Sequence, residues 1–355
     1  MPGPRAHHSG RIRPSSGQIE PMEARAVDAI PIGEQWQYEP KWDGFRCLLS
    51  RDGDSVTMTS KSGQDLTRYF PEIAESAALL SEQKFLLDGE LVVQIGDQFS
   101  FDDLLQRIHP APSRIKRLSA ETPARFLAFD LLQRGPTDLM ELLLPKRRQQ
   151  LEDFAAHCFA HSLFRLSPAS LRMADAERWL QSAGGGSDGI IAKRLDLPYQ
   201  AGNRDGMQKI KRHRTADCVI GGFRYGERTV SGRKVVGSLL LGLYDDDGAL
   251  HHVGFTSALT AEEKPELTNR LEAMTASHSF TGNKPGGPSR WSTKRSSEWV
   301  PVNPTLVVEV SYDHFTGDRF RHGTTIQRWR PDKHPKQCTM IQLEQKFVPP
   351  EALLS

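Results

Sequence analysis

Cysteine and long apolar runs are scarce in this sequence. The 355 residues include four cysteines, and none forms a Cys-x-x-Cys pair, which argues against a disulfide framework or a zinc site and fits a reducing cytoplasm. The longest nearly continuous apolar stretch, Val235 to Tyr244, is far shorter than the ~20 residues that span a bilayer. Residues 1–14 contain no apolar core segment, which argues against a secretory signal, and we expect residues 1–18 to form a disordered tail. The sequence therefore predicts a cytoplasmic protein without membrane attachment.

A strong net charge is also missing. The formal net charge of +2 neither demands nor excludes a polyanionic partner. Basic side chains are nevertheless concentrated between residues 204 and 234, where nine Lys or Arg residues accompany three Asp or Glu residues. Charge alone favours a solvated surface run over a nucleic-acid site by roughly two to one.

The length and the hydrophobic fraction of 37% suit two domains with separate cores. We place the boundary between Arg212 and Thr215, which gives domains over residues 19–213 and 214–355. The first is predicted to be α+β, with antiparallel sheets and helices. In the second, short strands with Gly-rich turns surround one helix over residues 261–274, a pattern typical of an OB-fold β-barrel.

Within the first domain, apolar periodicity and turn residues predict the individual elements. The predicted strands and helices are strands over residues 45–50, 56–58, 85–93, 125–132 and 188–193, and helices over residues 145–158 and 170–183. Two of these strands, over residues 85–93 and 125–132, carry the acidic residues Asp88, Glu90 and Asp130 in otherwise apolar runs. Buried strands that carry carboxylates usually mark a site.

Lys41 lies in the run Glu39-Pro40-Lys41-Trp42-Asp43-Gly44-Phe45-Arg46, which is predicted to form a loop just before a strand. Taken alone, such a short match gives a functional lysine odds of roughly one in four against an exposed loop lysine. A nucleophilic lysine must be neutral, although a free lysine has a pKa of about 10.4. We therefore expect burial or nearby cations, with Arg46, Lys209 and Lys211 as candidates, to favour the neutral amine.

Seven blocks of the sequence resemble, in order, the motifs of the covalent nucleotidyltransferase superfamily, whose members are ATP-dependent DNA ligases, RNA ligases and capping enzymes. The Lys41 run is the first block, and the others follow in this order: Ser60-Lys61-Ser62-Gly63, Leu87-Asp88-Gly89-Glu90-Leu91-Val92, Phe129-Asp130-Leu131-Leu132, Asp188-Gly189-Ile190-Ile191-Ala192-Lys193, Gln208-Lys209-Ile210-Lys211 and Arg330-Pro331-Asp332-Lys333. Ordered matches across both predicted domains make coincidence a poor explanation. The sequences around Lys41 and from Asp188 to Tyr199 are similar to those of small stand-alone bacterial ATP-dependent DNA ligases, which are related to the ligase module of end-joining enzymes.

This resemblance implies an adenylation domain of nucleotidyltransferase, ATP-grasp-like fold, followed by an OB-fold domain. It also implies the reaction. Lys41 would attack the α-phosphate of ATP and form lysyl-AMP, the AMP would pass to a 5′-phosphate at a nick, and the 3′-hydroxyl would displace it. The implied product is a sealed phosphodiester in nicked or broken duplex DNA.

The resemblance assigns roles to the matching side chains. Glu39 would accept a hydrogen bond from the adenine amino group, Phe129 would stack on the purine, and Glu90 and Asp188 would hold Mg²⁺, with Mn²⁺ as an alternative. The other implied nucleotide-binding side chains are Arg46, Lys61, Arg204, Lys209, Lys211, Arg330, Asp332 and Lys333. Lys209 and Lys211 have the period-two spacing that places two side chains on one face of a strand. Read without the motifs, these residues are ordinary core aromatics, salt-bridged carboxylates and surface charges.

Two positions depart from the family pattern. Lys61 stands where many relatives have arginine and loses the bidentate fork, and Asp188 stands where many have glutamate and is shorter by one methylene.

An RNA ligase or RNA-repair enzyme would use the same lysyl-AMP chemistry, and a nucleotide-dependent clamp without catalysis is a further alternative. We expect the protein to be a monomer. Its expected partners are nicked or broken duplex DNA and end-joining or repair proteins.

Overall fold

The computed structural model describes residues 19–212, 214–230, 232–286, 298–313, 315–321, 323–344 and 348–354. The tail predicted over residues 1–18 lies outside the described residues. The chain divides into two units, one formed by residues 1–212 with 346–355 and the other by residues 213–345. In the described part of the chain, no helix is long and apolar enough to cross a membrane.

The described part of the first unit contains eleven strands, with five helices between them along the chain and one further helix near residue 350. In chain order its elements are β1 (Arg25–Ala26), β2 (Trp36–Trp42), β3 (Phe45–Asp52), β4 (Ser55–Ser60), a 3₁₀ turn (Thr67–Tyr69), α1 (Pro71–Ala78), β5 (Lys84–Ile95), β6 (Gln98–Phe99), α2 (Phe101–Leu105), α3 (Pro112–Glu121), β7 (Ala124–Arg134), β8 (Thr137–Asp138), α4 (Leu144–Cys158), β9 (Phe164–Leu166), α5 (Met173–Gln181), β10 (Ser187–Arg194) and β11 (Met207–Lys211).

These strands form two sheets. Sheet A has the order β1-β11-β10-β2, and sheet B has the order β4-β3-β5-β7-β8, with β6 paired to β5 and β9 paired to β7. Each sheet buries one face against helices: Cys47, Leu49 and Phe126 of sheet B belong to the core cluster with α1 and α4, while Ile190 of sheet A packs against α5. The other faces share a third apolar cluster that includes Leu48 from sheet B and Met207 from sheet A. The two sheets therefore face each other.

In the described residues, the second unit is a curved antiparallel sheet with one long helix. Its elements are β12 (Arg214–Val230), β13 (Arg233–Tyr244), β14 (Leu250–Thr256), α6 (Glu263–Ala273), β15 (Val300–Pro301), β16 (Val307–Tyr312), β17 (Phe315–Thr316), β18 (Arg319–Phe320), β19 (Thr325–Trp329) and 3₁₀ turns over Pro335–Gln337 and Met340–Leu343. The sheet order is β14-β13-β12-β16-β19. Thr256, at the end of β14, bridges Thr324, just before β19, and its hydroxyl donates to the Thr324 carbonyl at 2.8 Å. The two edge strands thus meet and close the barrel, which confirms the predicted OB-type architecture.

The last helix, α7 (Pro350–Leu354), lies with the first unit, although the sequence pattern assigned residues 348–354 to the second domain. Leu353 and Leu354 pack against a buried cluster that contains Trp42 and Leu127. A five-residue helix has no stability of its own, so its position follows from this packing.

Candidate active site

Lys41 lies inside strand β2, so the predicted loop at this position is wrong. Pro40 normally argues against a strand because it cannot donate a ladder hydrogen bond. Strand β2 is, however, an edge of sheet A, and the Tyr38 amide points away from β10 and donates to the Ser170 carbonyl at 2.8 Å. Because Pro40 is two residues further on, its nitrogen faces the same outer side, and no hydrogen bond to β10 is lost.

The register of sheet A places four functional candidates on one face. Gly189 of β10 pairs with Lys41 on one side and with Lys211 on the other. Ile191 pairs in the same way with Glu39 and with Lys209. Side chains that are directly opposite or two residues apart share a face. This confirms that Lys209 and Lys211 point to the same side, and it is the side that carries Lys41 and Glu39.

Asp188 joins this face through a β-bulge. Ser187 pairs with Trp42 and Gly189 pairs with Lys41, so Asp188 is an extra residue in β10. A Cβ at Gly189 would overlap the carbonyl oxygen of Ile210, so only glycine fits beside the bulge. Asp188 Oδ1 lies 2.8 Å from Lys41 Nζ, and Asp188 Oδ2 lies 3.2 Å from Lys211 Nζ. One buried carboxylate therefore serves two lysines.

The pKa of Lys41 is raised, contrary to the expectation from the sequence. Burial by itself lowers this pKa, but the adjacent Asp188 carboxylate, together with Glu90 and Asp43, outweighs it. Lys209 is the lysine whose pKa is lowered, by burial and then by the charges of Lys41 and Lys211. In this state the Lys41 side chain is held as an ammonium.

Sheet B supplies the opposite wall with Arg46, Glu90 and Phe129. Arg46 and Glu90 are cross-strand partners. Phe129 sits at a second bulge, because Asp88 pairs with Asp130 while Gly89 pairs with Ala128. The Phe129 ring centroid lies 4.8 Å from Arg46 Cζ and 4.7 Å from Lys193 Nζ, so two cations approach this ring.

Arg46 is fixed by a buried network. Its Nε and Nη2 donate to the two oxygens of Asp88, both at 2.6 Å, and Nη2 also donates to the Met22 carbonyl at 3.1 Å. The Tyr199 hydroxyl donates to Asp88 Oδ2 at 2.6 Å and accepts from the Met22 amide at 2.9 Å. We call Arg46, Asp88 and Tyr199 the arginine network. Its guanidinium is already neutralised by a carboxylate, which the sequence could not indicate.

Glu90 is a half-buried carboxylate with little compensating positive charge. Gly44 N donates to Glu90 Oε1 at 3.1 Å. A Cβ at Gly44 would overlap the Leu91 carbonyl oxygen, so glycine is what lets the turn after Lys41 approach this strand. Burial raises the pKa of Glu90 to about 8, although the charges of Lys41 and Arg46 oppose the shift. A carboxylate in this condition lacks a sufficient positive partner.

Glu39 is bound to a lysine that the sequence did not single out. Its Oε1 accepts from Gln37 Nε2 at 2.8 Å and lies 2.9 Å from Lys193 Nζ. Lys193 also donates to the Phe129 carbonyl at 3.2 Å, so it connects the two walls. Its position in the Asp188 block, at period two from Ile191, was the available signal.

Fourteen of the described residues line the cleft between the sheets, and they include seven of the predicted site residues. The lining residues are Glu23, Ala24, Glu39, Pro40, Lys41, Trp42, Arg46, Lys61, Glu90, Phe129, Ile191, Lys193, Met207 and Lys209. The side chains of Ile191, Met207 and Phe129 supply apolar surface, and charged side chains line the rest of the cleft. Such a mixture suits a heterocycle that carries a polyanion.

Lys61 and Arg204 meet at a residue outside every sequence block. Lys61 Nζ lies 3.0 Å from Glu23 Oε1, and Arg204 Nε lies 2.9 Å from Glu23 Oε2. Arg204 therefore lies close to Lys61, with the Glu23 carboxylate between them.

Arg330, Asp332 and Lys333 belong to the second unit and form ion pairs within it. Arg330 donates to Asp332 and to Asp217 Oδ1, the latter at 2.8 Å, and Lys333 Nζ lies 3.3 Å from Asp217 Oδ2. The bond from Arg330 lowers the pKa of Asp332 to about 2. The remaining predicted residues all lie in the first unit.

A divalent cation fits the acidic pair in part. Asp188 and Glu90 both act on Lys41, and hard cations such as Mg²⁺ prefer carboxylate oxygens. The raised pKa of Glu90 shows that an added positive charge would be favourable there. The described residues contain no group of three or more His, Cys, Asp and Glu side chains suited to a metal. Phosphate and water oxygens would have to complete the coordination.

Two facing sheets around a lysine–carboxylate cleft, followed by a closed barrel, define the nucleotidyltransferase class that the motifs predicted. The family of ATP-dependent DNA ligases is shown directly by comparison: the model of the ATP dependent DNA ligase domain matches residues 21–211, and that of the ATP dependent DNA ligase C terminal region matches residues 232–333. Since the first match alone covers more than half of the chain, the chain belongs to the ATP-dependent DNA ligase family.

The chain resembles both a relative of similar length and a part of a longer one. DNA ligase C2 of Mycolicibacterium smegmatis is 41% identical over 341 residues, which are 92% of this chain and 94% of that protein. The multifunctional non-homologous end joining DNA repair protein LigD of Mycobacterium tuberculosis is 33% identical over 309 residues, 85% of this chain but 37% of that protein. A Lig E DNA ligase structure has a TM-score of 0.51 at 15% identity, covering 88% of this chain and 100% of that chain, and supports the fold alone.

Proposed function

We propose that Lys41 is the nucleophile of this ATP-dependent DNA ligase and carries AMP as a lysyl adduct. The observation that carries this proposal is that Lys41 Nζ lies 2.8 Å from a carboxylate shared with a second lysine, in a cleft lined by further cations. The Nζ lone pair forms a bond to the α-phosphorus of ATP, the bond from that phosphorus to the bridging oxygen breaks, and its electron pair leaves with pyrophosphate.

The protonation state of Lys41 is the first requirement. While Asp188 holds the ammonium, Lys41 cannot attack. Lys211, already 3.2 Å from the other Asp188 oxygen, can take over this carboxylate, and the lost ion pair then lets Lys41 release its proton to solvent. Lys209, on the same face, favours the neutral amine by repulsion. Loss of the Asp188–Lys41 ion pair thus converts Lys41 from the charged ammonium to the neutral, reactive amine.

The nucleotide is held by groups from both walls. Both contacts of Glu39 fall on Oε1, so we assign Oε2 to the adenine amino group. Phe129 offers a ring for stacking, worth ~1 to 3 kcal/mol. Lys209, Lys211 and Lys61 balance the phosphate charge, and Arg46 acts mainly as a fixed wall because Asp88 neutralises it. Glu90 and Asp188 would hold Mg²⁺ or Mn²⁺, which supplies positive charge against the phosphates.

The later steps concern DNA. AMP passes from Lys41 to the 5′-phosphate at a nick, and the 3′-hydroxyl displaces it. A relative named for non-homologous end joining supports a role in repair or end joining. We place the second-unit residues Arg330, Asp332 and Lys333 in the first step, as groups that orient the pyrophosphate leaving group, and we propose that the protein acts as a cytoplasmic monomer.

The direct test is incubation with α-labelled ATP and a divalent cation. Wild-type protein should retain label after denaturation, and the bond should survive alkali but break in mild acid, as a phosphorus–nitrogen bond does. Lys41→Ala should remove the label, whereas Lys84→Ala, which breaks an exposed ion pair with Asp52 on the same sheet, should retain it. Equal labelling of Lys41→Ala would exclude Lys41 as the nucleophile.

A further inference from the structure

We infer that Glu23 is an internal anionic ligand of Lys61 and Arg204 that must be exchanged for phosphate when ATP binds. This inference rests on the proposed function, because it takes these two cations as phosphate contacts. Glu23 lies outside every sequence motif and before the first of them.

The geometry is that of a bridging anion. One carboxylate oxygen of Glu23 is 3.0 Å from Lys61 Nζ, and the other is 2.9 Å from Arg204 Nε. Hydrogen bonds from Lys61 and then from Arg204 lower the pKa of Glu23, so the carboxylate is ionised at neutral pH. Two cations separated by a carboxylate are spaced as they would be around a phosphate group, which also accepts hydrogen bonds through several oxygens.

Glu23 is fixed at this place by its backbone. Its amide donates to the Asn203 carbonyl at 2.8 Å, next to Arg204 in sequence. The preceding residue, Met22, is fastened by the Tyr199 hydroxyl at 2.9 Å and by Arg46 Nη2 at 3.1 Å. The arginine network therefore sets the position of the segment that carries the carboxylate. The Glu23 backbone is therefore anchored, whereas the side chains of its two partners are largely exposed.

The two cations are free to exchange partners. The side chains of Lys61 and Arg204 are 56% and 70% exposed, whereas that of Glu23 is 27% exposed and lines the cleft. Exposed ion pairs contribute little net stability, so a triphosphate can displace the carboxylate at small cost. A fixed negative charge near the phosphate site should weaken ATP binding and, once pyrophosphate has left, recapture the cations.

The test measures ATP binding separately from the covalent step, in the Lys41→Ala protein, by titration calorimetry at low ionic strength. Glu23→Gln should lower the Kd for ATP about three- to tenfold, because one repelling charge is removed. Glu20→Gln removes the same charge from the same segment without touching the two cations, and should change the Kd less than twofold. In a Lys61→Ala, Arg204→Ala background, the gain from Glu23→Gln should also fall below twofold.

The outcomes separate the two ideas. An unchanged or raised Kd in Glu23→Gln, or an equal gain in the background that lacks both cations, would overturn the internal-ligand proposal. With Lys41 present, Glu23→Gln should lower the KM for ATP and leave the saturating rate of label transfer within twofold. A reduced saturating rate would instead mark Glu23 as a structural support. Failure of the wild-type protein to label would count against Lys41 and leave the binding comparison intact.

Discussion

Two groups of cations around a carboxylate lie on opposite walls of the cleft, and they differ in how firmly the carboxylate is bound. In the arginine network, Asp88 is completely buried and receives two bonds from Arg46 and one from Tyr199. In the lysine cluster, formed by Lys41, Asp188 and Lys211, each carboxylate oxygen is near one lysine. A planar fork with saturated acceptors is rigid, whereas single contacts to flexible ammonium groups can be exchanged. The arginine network therefore stabilises the wall of the cleft, and the lysine cluster can take part in the reaction.

The largest effect should come from breaking the fixed pair. Asp88→Ala leaves the Arg46 guanidinium half-buried without its carboxylate, and we expect the free energy of unfolding to fall by about 3 to 5 kcal/mol. Denaturant titration measures this. Asp52→Ala, which removes an exposed pair with Lys84, should cost less than about 1 kcal/mol. If both variants lose the same small amount, the arginine network is not a rigid support.

Breaking the exchangeable pair should affect rate more than stability. Asp188→Asn should slow label transfer to Lys41 about 10²-fold while leaving the unfolding midpoint nearly unchanged. Since the Asp188 charge raises the pKa of Lys41, its loss should lower that pKa, and the rise of the rate with pH should move to lower pH. Single-turnover rates across pH would show this. A shift toward higher pH would contradict the assigned role.

The pH dependence of folding stability tests how poorly the Glu90 carboxylate is compensated compared with the two groups above. The folded protein retains the Glu90 proton up to about pH 8, whereas the unfolded carboxyl releases it near pH 4.5. The stability linked to this proton is therefore present below pH 4.5 and is lost as pH rises through 8. Without metal and nucleotide, wild-type stability should fall by on the order of 2 kcal/mol more than that of Glu90→Gln between pH 5 and 9. Parallel stability curves for the two proteins would rule this out.

The smallest effect concerns the ion pairs of Arg330 in the second unit, whose partner Asp332 is largely exposed and should also be exchangeable. Arg330→Ala should slow label transfer to Lys41 about tenfold, the equivalent of one charge-assisted hydrogen bond, with stability changed by less than about 1 kcal/mol. Sealing of a nick that already carries AMP should proceed at the wild-type rate. An equal loss in both assays would mean that Arg330 does not act specifically in the first step.

The sequence by itself determined the family, the order of the motifs, the strands that carry the Asp88, Asp130 and Asp188 blocks, and the common face of Lys209 and Lys211. These features depend on local periodicity and on residue identity, which can be read along the chain. The alternation of Cys47 and Leu49 with Arg46 and Leu48 likewise separated the core face of β3 from its cleft face.

Only the tertiary structure decided how the site is assembled. The bulges that turn Asp188 and Phe129 into the cleft depend on which residues the neighbouring strand pairs with, and a one-residue change of register reverses the face of a side chain. The partners of Arg46, Glu39 and Lys61 are Asp88, Lys193 and Glu23, each distant in sequence. The charge of Lys41 was mispredicted for the same reason. Its pKa is set by a carboxylate 147 residues away along the chain, counted from Lys41 to Asp188, that only folding brings within 2.8 Å.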